Sequence, residues 1–178
     1  MTDIIIAILR SATPVIYVTM AGMVATRAGI WNLGLEGQMA IGACAMVVGI
    51  VLTGSVPLAL LLAIVFCVLS SVLLWAVVEK LRANVIIAGI GLTGLGMSGT
   101  SLAIQAIFGS EATVNAPAGL PRLGPAFGPF GSLSWLVLLM PFVVFGLWIL
   151  LRRTRYGLRL VAAGEHPFAA RSVGVMRL

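Results

Sequence analysis

The chain has 178 residues, of which 61% are hydrophobic and only 9% are charged. A soluble domain carries about 25% charged residues and about 45–50% apolar ones. The apolar excess excludes an ordinary soluble domain, a disordered chain and a disulfide scaffold, and it requires the lipid bilayer as a second apolar solvent. The net charge of +6 does not indicate nucleic-acid binding, because the basic residues cluster beyond an apolar run instead of covering a polar face.

Five apolar runs predict an all-α, multi-pass integral membrane protein with a single membrane domain over residues 1–178. A spanning helix needs about 20 apolar residues. The first run is the weakest, because Arg10 and Pro14 interrupt it. The predicted helices are, in chain order, 4–26, 38–53, 57–79, 84–109 and 133–151.

The connections between these runs predict the orientation in the membrane. Residues 110–132 are rich in proline and glycine and cannot form a continuous helix, so we expect an irregular external loop there. If the tail 152–178 is cytoplasmic, that side holds nine of the 11 Lys and Arg: six in the tail, two in the 79–83 turn and Arg27. Positive charge concentrates on the cytoplasmic side of membrane proteins, which supports this orientation.

A glycine-rich polar stretch, residues 29–37, separates the first two runs. It contains three glycines together with Asn32 and Glu36. A hydrophobic segment interrupted by glycine indicates discontinuous helices that line a transport pathway. The alternative is an interfacial turn in which Glu36 stabilises the start of the next helix.

A second glycine-rich stretch lies within the fourth predicted helix, over residues 89–101. Small residues recur there four positions apart, in the pairs Gly89/Thr93, Gly94/Ser98 and Gly96/Thr100. Small residues let helices approach closely in lipid. The pattern therefore favours a crowded helix inside a bundle. The alternative is that its Ser and Thr side chains and Gln105 contact a solute.

The tail predicts a short cytoplasmic helix at about 167–173. Pro167 suits the first position of a helix and Gly174 the position after its end. A helix of this length is marginal in water, so we expect it to dock on a partner through its small and apolar residues, Phe168, Ala169 and Ala170. The alternative is an interfacial helix that lies on lipid headgroups.

No catalytic or cofactor-binding constellation is visible in the sequence. The two cysteines lie inside apolar runs, the single histidine has no neighbouring ligand, and no phosphate-binding loop is present. We therefore expect no enzymatic activity, metal or cofactor in this chain.

Three stretches together resemble one family. They are residues 28–43 (AGIWNLGLEGQMAIGA), residues 84–92 (NVIIAGIGL) and residues 154–175, which run from TRYGLR to AGEHPFAARSVGV. In order and spacing they are similar to the permease subunits of ATP-binding-cassette importers of the branched-chain amino acid, ribose and nucleoside group. The resemblance is nearest to the nucleoside and simple-sugar branch.

This resemblance implies a fold like that of type II importer permeases, a bacterial plasma-membrane location and a set of partners. These are ATPase subunits that hydrolyse ATP, a second permease subunit and an extracytoplasmic solute-binding protein. It places a pathway or gate at Asn32, Gly34, Glu36, Gly37 and Thr93. It places ATPase coupling in the cytoplasmic loop 152–178, at Gly164, Phe168, Ala169, Ala170 and Gly174.

Two features depart from the family pattern. Such permeases are usually longer, so the resemblance implies a C-terminally truncated chain. The branch also has Asn where this sequence has Thr93, so the resemblance does not identify the solute.

The predicted function is a permease subunit of an ATP-driven importer for a small polar solute, a nucleoside or a simple sugar. The alternatives are a structural membrane subunit without its own pathway and a secondary transporter. The predicted docking helix favours an importer with a separate ATPase. The scarcity of acidic residues in the spans argues against proton coupling.

Overall fold

The computed structural model describes residues 2–109, 121–124 and 130–166. Over these ranges the chain forms six α-helices, and its only β-structure is an isolated bridge between Arg122 and Ser134. The helices are α1 (Thr2–Arg27), α2 (Leu35–Thr53), α3 (Val56–Glu79), α4 (Val85–Phe108), α5 (Trp135–Arg153) and α6 (Arg155–Glu165).

Helices α1 to α5 are each long and apolar enough to cross a membrane. This confirms the predicted all-α, multi-pass fold. Each helix begins and ends within three residues of its predicted bounds. The largest difference with a functional consequence is at α2, which begins at Leu35 instead of residue 38, so that Glu36 lies in its first turn.

Two compact units make up the described chain, one of α1, α5 and α6 and the other of α2, α3 and α4. In the first unit, the Arg10 guanidinium donates a hydrogen bond to the Ser132 carbonyl at 3.2 Å, and the Tyr17 hydroxyl donates to the Leu136 carbonyl at 2.8 Å. These bonds hold the middle of α1 beside the start of α5. The single membrane domain over 1–178 stays a prediction.

Small residues set the packing of the second unit. A Cβ at Gly49 of α2 would lie 2.9 Å from the Cα of Ala59 in α3. Further along the same pair of helices, the Gln38 amide nitrogen donates to the Ser71 hydroxyl at 3.2 Å. Since apolar burial does not drive association in lipid, close backbone approach and interhelical hydrogen bonds are the contacts that hold such helices together.

Large apolar side chains cover the outer surfaces of the spanning helices. Leu52, Ile87 and Leu95 are 74%, 71% and 71% exposed. A water-soluble protein rarely exposes contiguous apolar patches of this kind. The surfaces therefore suit contact with lipid acyl chains.

Helix α6 was not predicted from the sequence. It lies within residues 152–178, which were predicted to form the cytoplasmic coupling loop. The Thr154 hydroxyl caps its N-terminus by accepting a hydrogen bond from the Gly157 amide at 3.1 Å. Glycines at 157 and 164 lower the intrinsic helix propensity of the stretch. Packing overrides that preference, since residues 157, 160, 161 and 164 form the less exposed face of the helix. The predicted helix at 167–173 lies outside the described residues.

Candidate functional site

The polar stretch between the first two helices begins where α1 ends in a Schellman motif. Gly29 has a φ of +79°, a left-handed conformation that glycine adopts without steric cost. Its amide donates to the Thr26 carbonyl at 3.0 Å, and the Ile30 amide donates to the Ala25 carbonyl at 2.9 Å. This hydrogen-bond pair is the standard helix termination around a C′ glycine. The glycine therefore stops α1 before the next helix begins.

We call residues 28–34, between α1 and α2, the broken segment. Near its end, the Asn32 side-chain oxygen accepts a hydrogen bond from the Gly34 amide at 2.8 Å. Asparagine forms such turns readily, because its side-chain oxygen can accept a hydrogen bond from the backbone amide two residues later. The Gly34 carbonyl then accepts from the Gln38 amide at 3.0 Å, and α2 follows.

The start of α2 packs against one face of α4. A Cβ at Gly37 would lie 2.6 Å from both the Leu92 carbonyl oxygen and the Thr93 Cα, and a Cβ at Gly96 would lie 2.6 Å from the Gly37 carbonyl oxygen. Real Cβ atoms essentially never approach other atoms this closely. Both positions therefore require glycine for the two helices to cross at this distance.

Thr93 supplies a hydrogen bond to the broken segment. Its hydroxyl donates to the Leu33 carbonyl at 2.8 Å. A backbone carbonyl outside a helix is costly in lipid unless protein or water satisfies it. Thr93 thus stabilises the non-helical backbone immediately before α2.

The contacts along α4 show how far along this helix α2 begins. Helix α4 has 24 residues, which span about 36 Å at 1.5 Å per residue. Gly96, which meets Gly37, lies midway along it. Gly34 meets Gly89, nearer the start of α4, so the residues that begin α2 lie beside the first half of this helix.

Glu36 and Asn32 give this region its polar character. The Glu36 side chain is exposed and Asn32 is half-buried. Within the part of the chain that the structure describes, no hydrogen bond or ion pair engages the Glu36 carboxylate. Ionisable residues at membrane depth are costly and usually face an aqueous cavity or a functional site. The described ranges contain no group of three side chains that could hold a metal ion.

The structure brings together one of the two sets of predicted site residues. All five lie in the second unit, in the broken segment, on the start of α2 or on the α4 face that it meets: Asn32, Gly34, Glu36, Gly37 and Thr93.

Of the second set, the structure describes only one residue. Gly164 is in the last turn of α6. The other predicted coupling residues, Phe168, Ala169, Ala170 and Gly174, lie outside the described residues.

Sequence reasoning missed three residues that build this site. Gly89 and Gly96 contact residues 33–37, and they share a face because they are seven positions apart. Pairs of small residues four positions apart also include Gly94, where a Cβ would meet nothing within 4 Å. Gln38, which hydrogen-bonds to α3, lies in the family-like stretch 28–43 but was not selected. The sequence signal that could have identified Gly89 and Gly96 is their spacing of seven residues, which places both on one face of α4.

A model of the permease component of branched-chain amino acid transport systems matches residues 4–177. The chain belongs to this family. The match confirms the family resemblance noted in the sequence.

Curated relatives of this permease include nucleoside and sugar permeases. The guanosine ABC transporter permease protein NupQ of Bacillus subtilis is 32% identical over 97% of this chain and 59% of the relative. The nucleoside ABC transporter permease protein NupC of Lactococcus lactis is 30% identical over 92% of this chain and 56% of the relative. A putative glucose ABC transporter permease protein of Haloferax volcanii is 30% identical over 95% of this chain and 54% of the relative.

The sequence therefore spans a little over half the length of these relatives. Their names agree with the predicted nucleoside and simple-sugar branch. No solved structure matches the chain closely enough to count as a relative.

Proposed function

We propose that this permease is the pathway-forming subunit of an ATP-driven importer in the bacterial plasma membrane, and that it carries a nucleoside or a simple sugar. The observation that supports this most strongly is the exposed Glu36 carboxylate in the first turn of α2. This helix starts beside the first half of α4, after a stretch of non-helical backbone. Discontinuous helices with polar groups near the bilayer midplane are typical of solute sites in transporters.

The side chains at this site suit a hydroxyl-rich solute. The relatives are named for guanosine, nucleosides and glucose, which all carry several hydroxyl groups. The Glu36 carboxylate accepts hydrogen bonds, and the Asn32 amide both donates and accepts them. The Thr93 hydroxyl already donates to the broken segment, so we assign Thr93, with Gly34 and Gly37, to shaping the pathway.

The orientation in this proposal follows from charge. If α1 to α5 all span, the chain end after α5 and the 80–84 turn lie on the same side, and so does the broken segment. That side carries most of the Lys and Arg residues, so it is cytoplasmic by the positive-inside rule. Residues 110–132 then lie outside.

The proposed partners follow from this arrangement. Residues 152–178 face the ATPase subunits, which dock on the segment containing Gly164, Phe168, Ala169, Ala170 and Gly174. A second permease subunit completes the pathway, and an extracytoplasmic solute-binding protein delivers the solute to the outer face. Helix α6 and the arginines around it belong to the cytoplasmic side of this assembly.

The proposal is tested by replacing Glu36→Gln in the assembled transporter and measuring uptake of labelled guanosine and labelled glucose. Hydrogen bonds to charged groups contribute about 1.5–3 kcal/mol, so we expect uptake to fall at least about tenfold with normal abundance in the membrane. Glu79→Gln is the matched control, because Glu79 is an exposed carboxylate at the end of α3. We expect it to transport as the unmodified protein does.

Wild-type uptake by the Glu36→Gln variant would contradict this assignment. Glu36 would then be only a favourable charge at the N-terminus of α2.

A further inference from the structure

Gly164 of α6 makes a close backbone contact with the end of α1. A Cβ at Gly164 would lie 2.8 Å from the Ala28 carbonyl carbon and from the Gly29 nitrogen, and it would also overlap the Arg27 carbonyl oxygen. In the reverse direction, a Cβ at Gly29 would lie 3.0 Å from the Cα of Gly164. The two backbones therefore touch without an intervening side chain.

The other end of α6 is fixed in the same way. Gly157 is buried, and a Cβ there would lie 2.6 Å from the Cα of Leu151 in the last turns of α5. Gly157 and Gly164 are seven residues apart and share one face of α6. The helix is thus held at one end by α5 and at the other by α1. A short helix held at both ends by backbone contact moves as one piece, because densely packed contacts do not deform continuously.

The contact lies between two functional regions along the chain. On the α6 side, only Glu165 and His166 separate Gly164 from the start of the proposed docking helix at 167–173. On the α1 side, only Ile30 and Trp31 separate Gly29 from Asn32. The φ of +79° at Gly29 ends α1 at this point, and the rest of the broken segment follows it directly along the chain.

We propose that Gly29 and Gly164 are positioning residues of the transport cycle. Their contact passes motion of the ATPase-docking segment to the broken segment and so to Asn32 and Glu36. This inference rests on the proposed function. The contact would connect the ATPase-docking segment to the pathway within one subunit, and the ATPase itself would not need to reach the pathway.

The first test substitutes Gly164→Ala in the assembled transporter, with Gly146→Ala as the matched control. Both glycines are helical and lie in the same unit, but a Cβ at Gly146 would meet nothing within 4 Å. We measure retention of the ATPase subunit, basal ATP hydrolysis, guanosine uptake and the stimulation of hydrolysis by guanosine-loaded binding protein. We expect Gly164→Ala to lower uptake and stimulation about tenfold, the factor that corresponds to about 1.4 kcal/mol of lost coupling. Gly146→Ala should leave all four unchanged.

The second test separates the contact from the backbone conformation. Asparagine tolerates positive φ better than other non-glycine residues, so Gly29→Asn adds a Cβ against Gly164 with little backbone strain. Gly54→Asn is its control, because Gly54 has a φ of +65° with nothing within 4 Å of an added Cβ. We expect only Gly29→Asn to uncouple hydrolysis from uptake.

A cysteine at Glu36 keeps the inference testable if uptake is too low to measure. In a transporter whose Cys44 and Cys67 are replaced by alanine, we expect the reaction rate of Glu36→Cys with a small thiol reagent to change on addition of ATP. We expect no such change when Gly164→Ala is added. An equal ATP response in both overturns the proposed connection and leaves the proposed function intact. If ATP changes neither uptake nor labelling in the transporter that keeps Gly164, the proposed function is overturned. The proposed connection is then overturned with it.

Discussion

The Thr93 hydroxyl satisfies a carbonyl that has no helical partner. Threonine in the middle of a spanning helix usually bonds to its own helix, as Thr100 does with the Met97 carbonyl at 3.0 Å. Thr93 instead reaches Leu33 on another segment. Sequence analysis selected Thr93 for the pathway because of the family resemblance, and it could not identify this partner, because residues 33 and 93 are 60 positions apart.

We expect Thr93→Val to destabilise the transporter. The substitution keeps the shape of the side chain but leaves the Leu33 carbonyl without its donor. Interhelical hydrogen bonds in membranes contribute about 0.6–2 kcal/mol. A lower midpoint of thermal unfolding in detergent would report this loss. Thr93→Ser keeps the hydroxyl and should behave as wild type.

Thr100→Val is a second control for the same helix, since its hydroxyl bonds only within α4. An equal fall in the unfolding midpoint for Thr93→Val and Thr100→Val would show that the bond to Leu33 contributes nothing specific.

At the scale of elements, hydropathy alone predicted the five long helices closely. Runs of apolar residues bounded by charge, glycine or proline largely determine where a spanning helix begins and ends. This is because every backbone group in lipid must be hydrogen-bonded within the helix. Hydropathy was less informative where helices are short. Helix α6 depends on its contacts with α5 and α1, and no local pattern in the sequence specifies those contacts.

Some glycines of α4 pack against α2 and others face open space, and alanine substitutions can distinguish the two kinds of position. We expect Gly96→Ala to lower the midpoint of thermal unfolding, because the added Cβ would lie 2.6 Å from the Gly37 carbonyl oxygen and overpacking costs about 1–3 kcal/mol. Gly94→Ala adds a Cβ to open space two residues away. It should be neutral or stabilising, since alanine favours helix over glycine by about 1 kcal/mol. Equal effects of the two substitutions would contradict the described crossing of α2 and α4.

At the scale of the whole molecule, the sequence predicted the membrane class and the family, and the comparisons confirm both. Composition was decisive for the class, because 61% hydrophobic residues cannot be buried in one small core. The solute could not be predicted in this way. Hydroxyl recognition needs only a few hydrogen-bonding groups, and the same Asn and Glu side chains suit a nucleoside or a sugar.

The proposed orientation makes a direct labelling prediction. We expect an impermeant thiol reagent to modify Ser132→Cys in intact cells and not Ser172→Cys. Ser132 precedes α5, whereas residue 172 follows it in the basic tail. Cys44 and Cys67 lie within α2 and α3 and are replaced by alanine in both variants. Labelling at 172 and protection at 132 would reverse the orientation and place the proposed docking segment on the wrong side for an ATPase.

Uptake by the purified transporter in sealed vesicles tests most directly whether this chain forms the pathway of an ATP-driven importer. The vesicles carry the permease and its ATPase subunits with ATP inside, and solute-binding protein loaded with labelled guanosine or glucose outside. We expect one solute to accumulate only when ATP is hydrolysed, and accumulation to fall about tenfold with Glu36→Gln, as a lost hydrogen bond to a charged group implies. Accumulation driven by a proton gradient without ATP, or ATP-driven accumulation that persists when this chain is omitted, would contradict the proposed function.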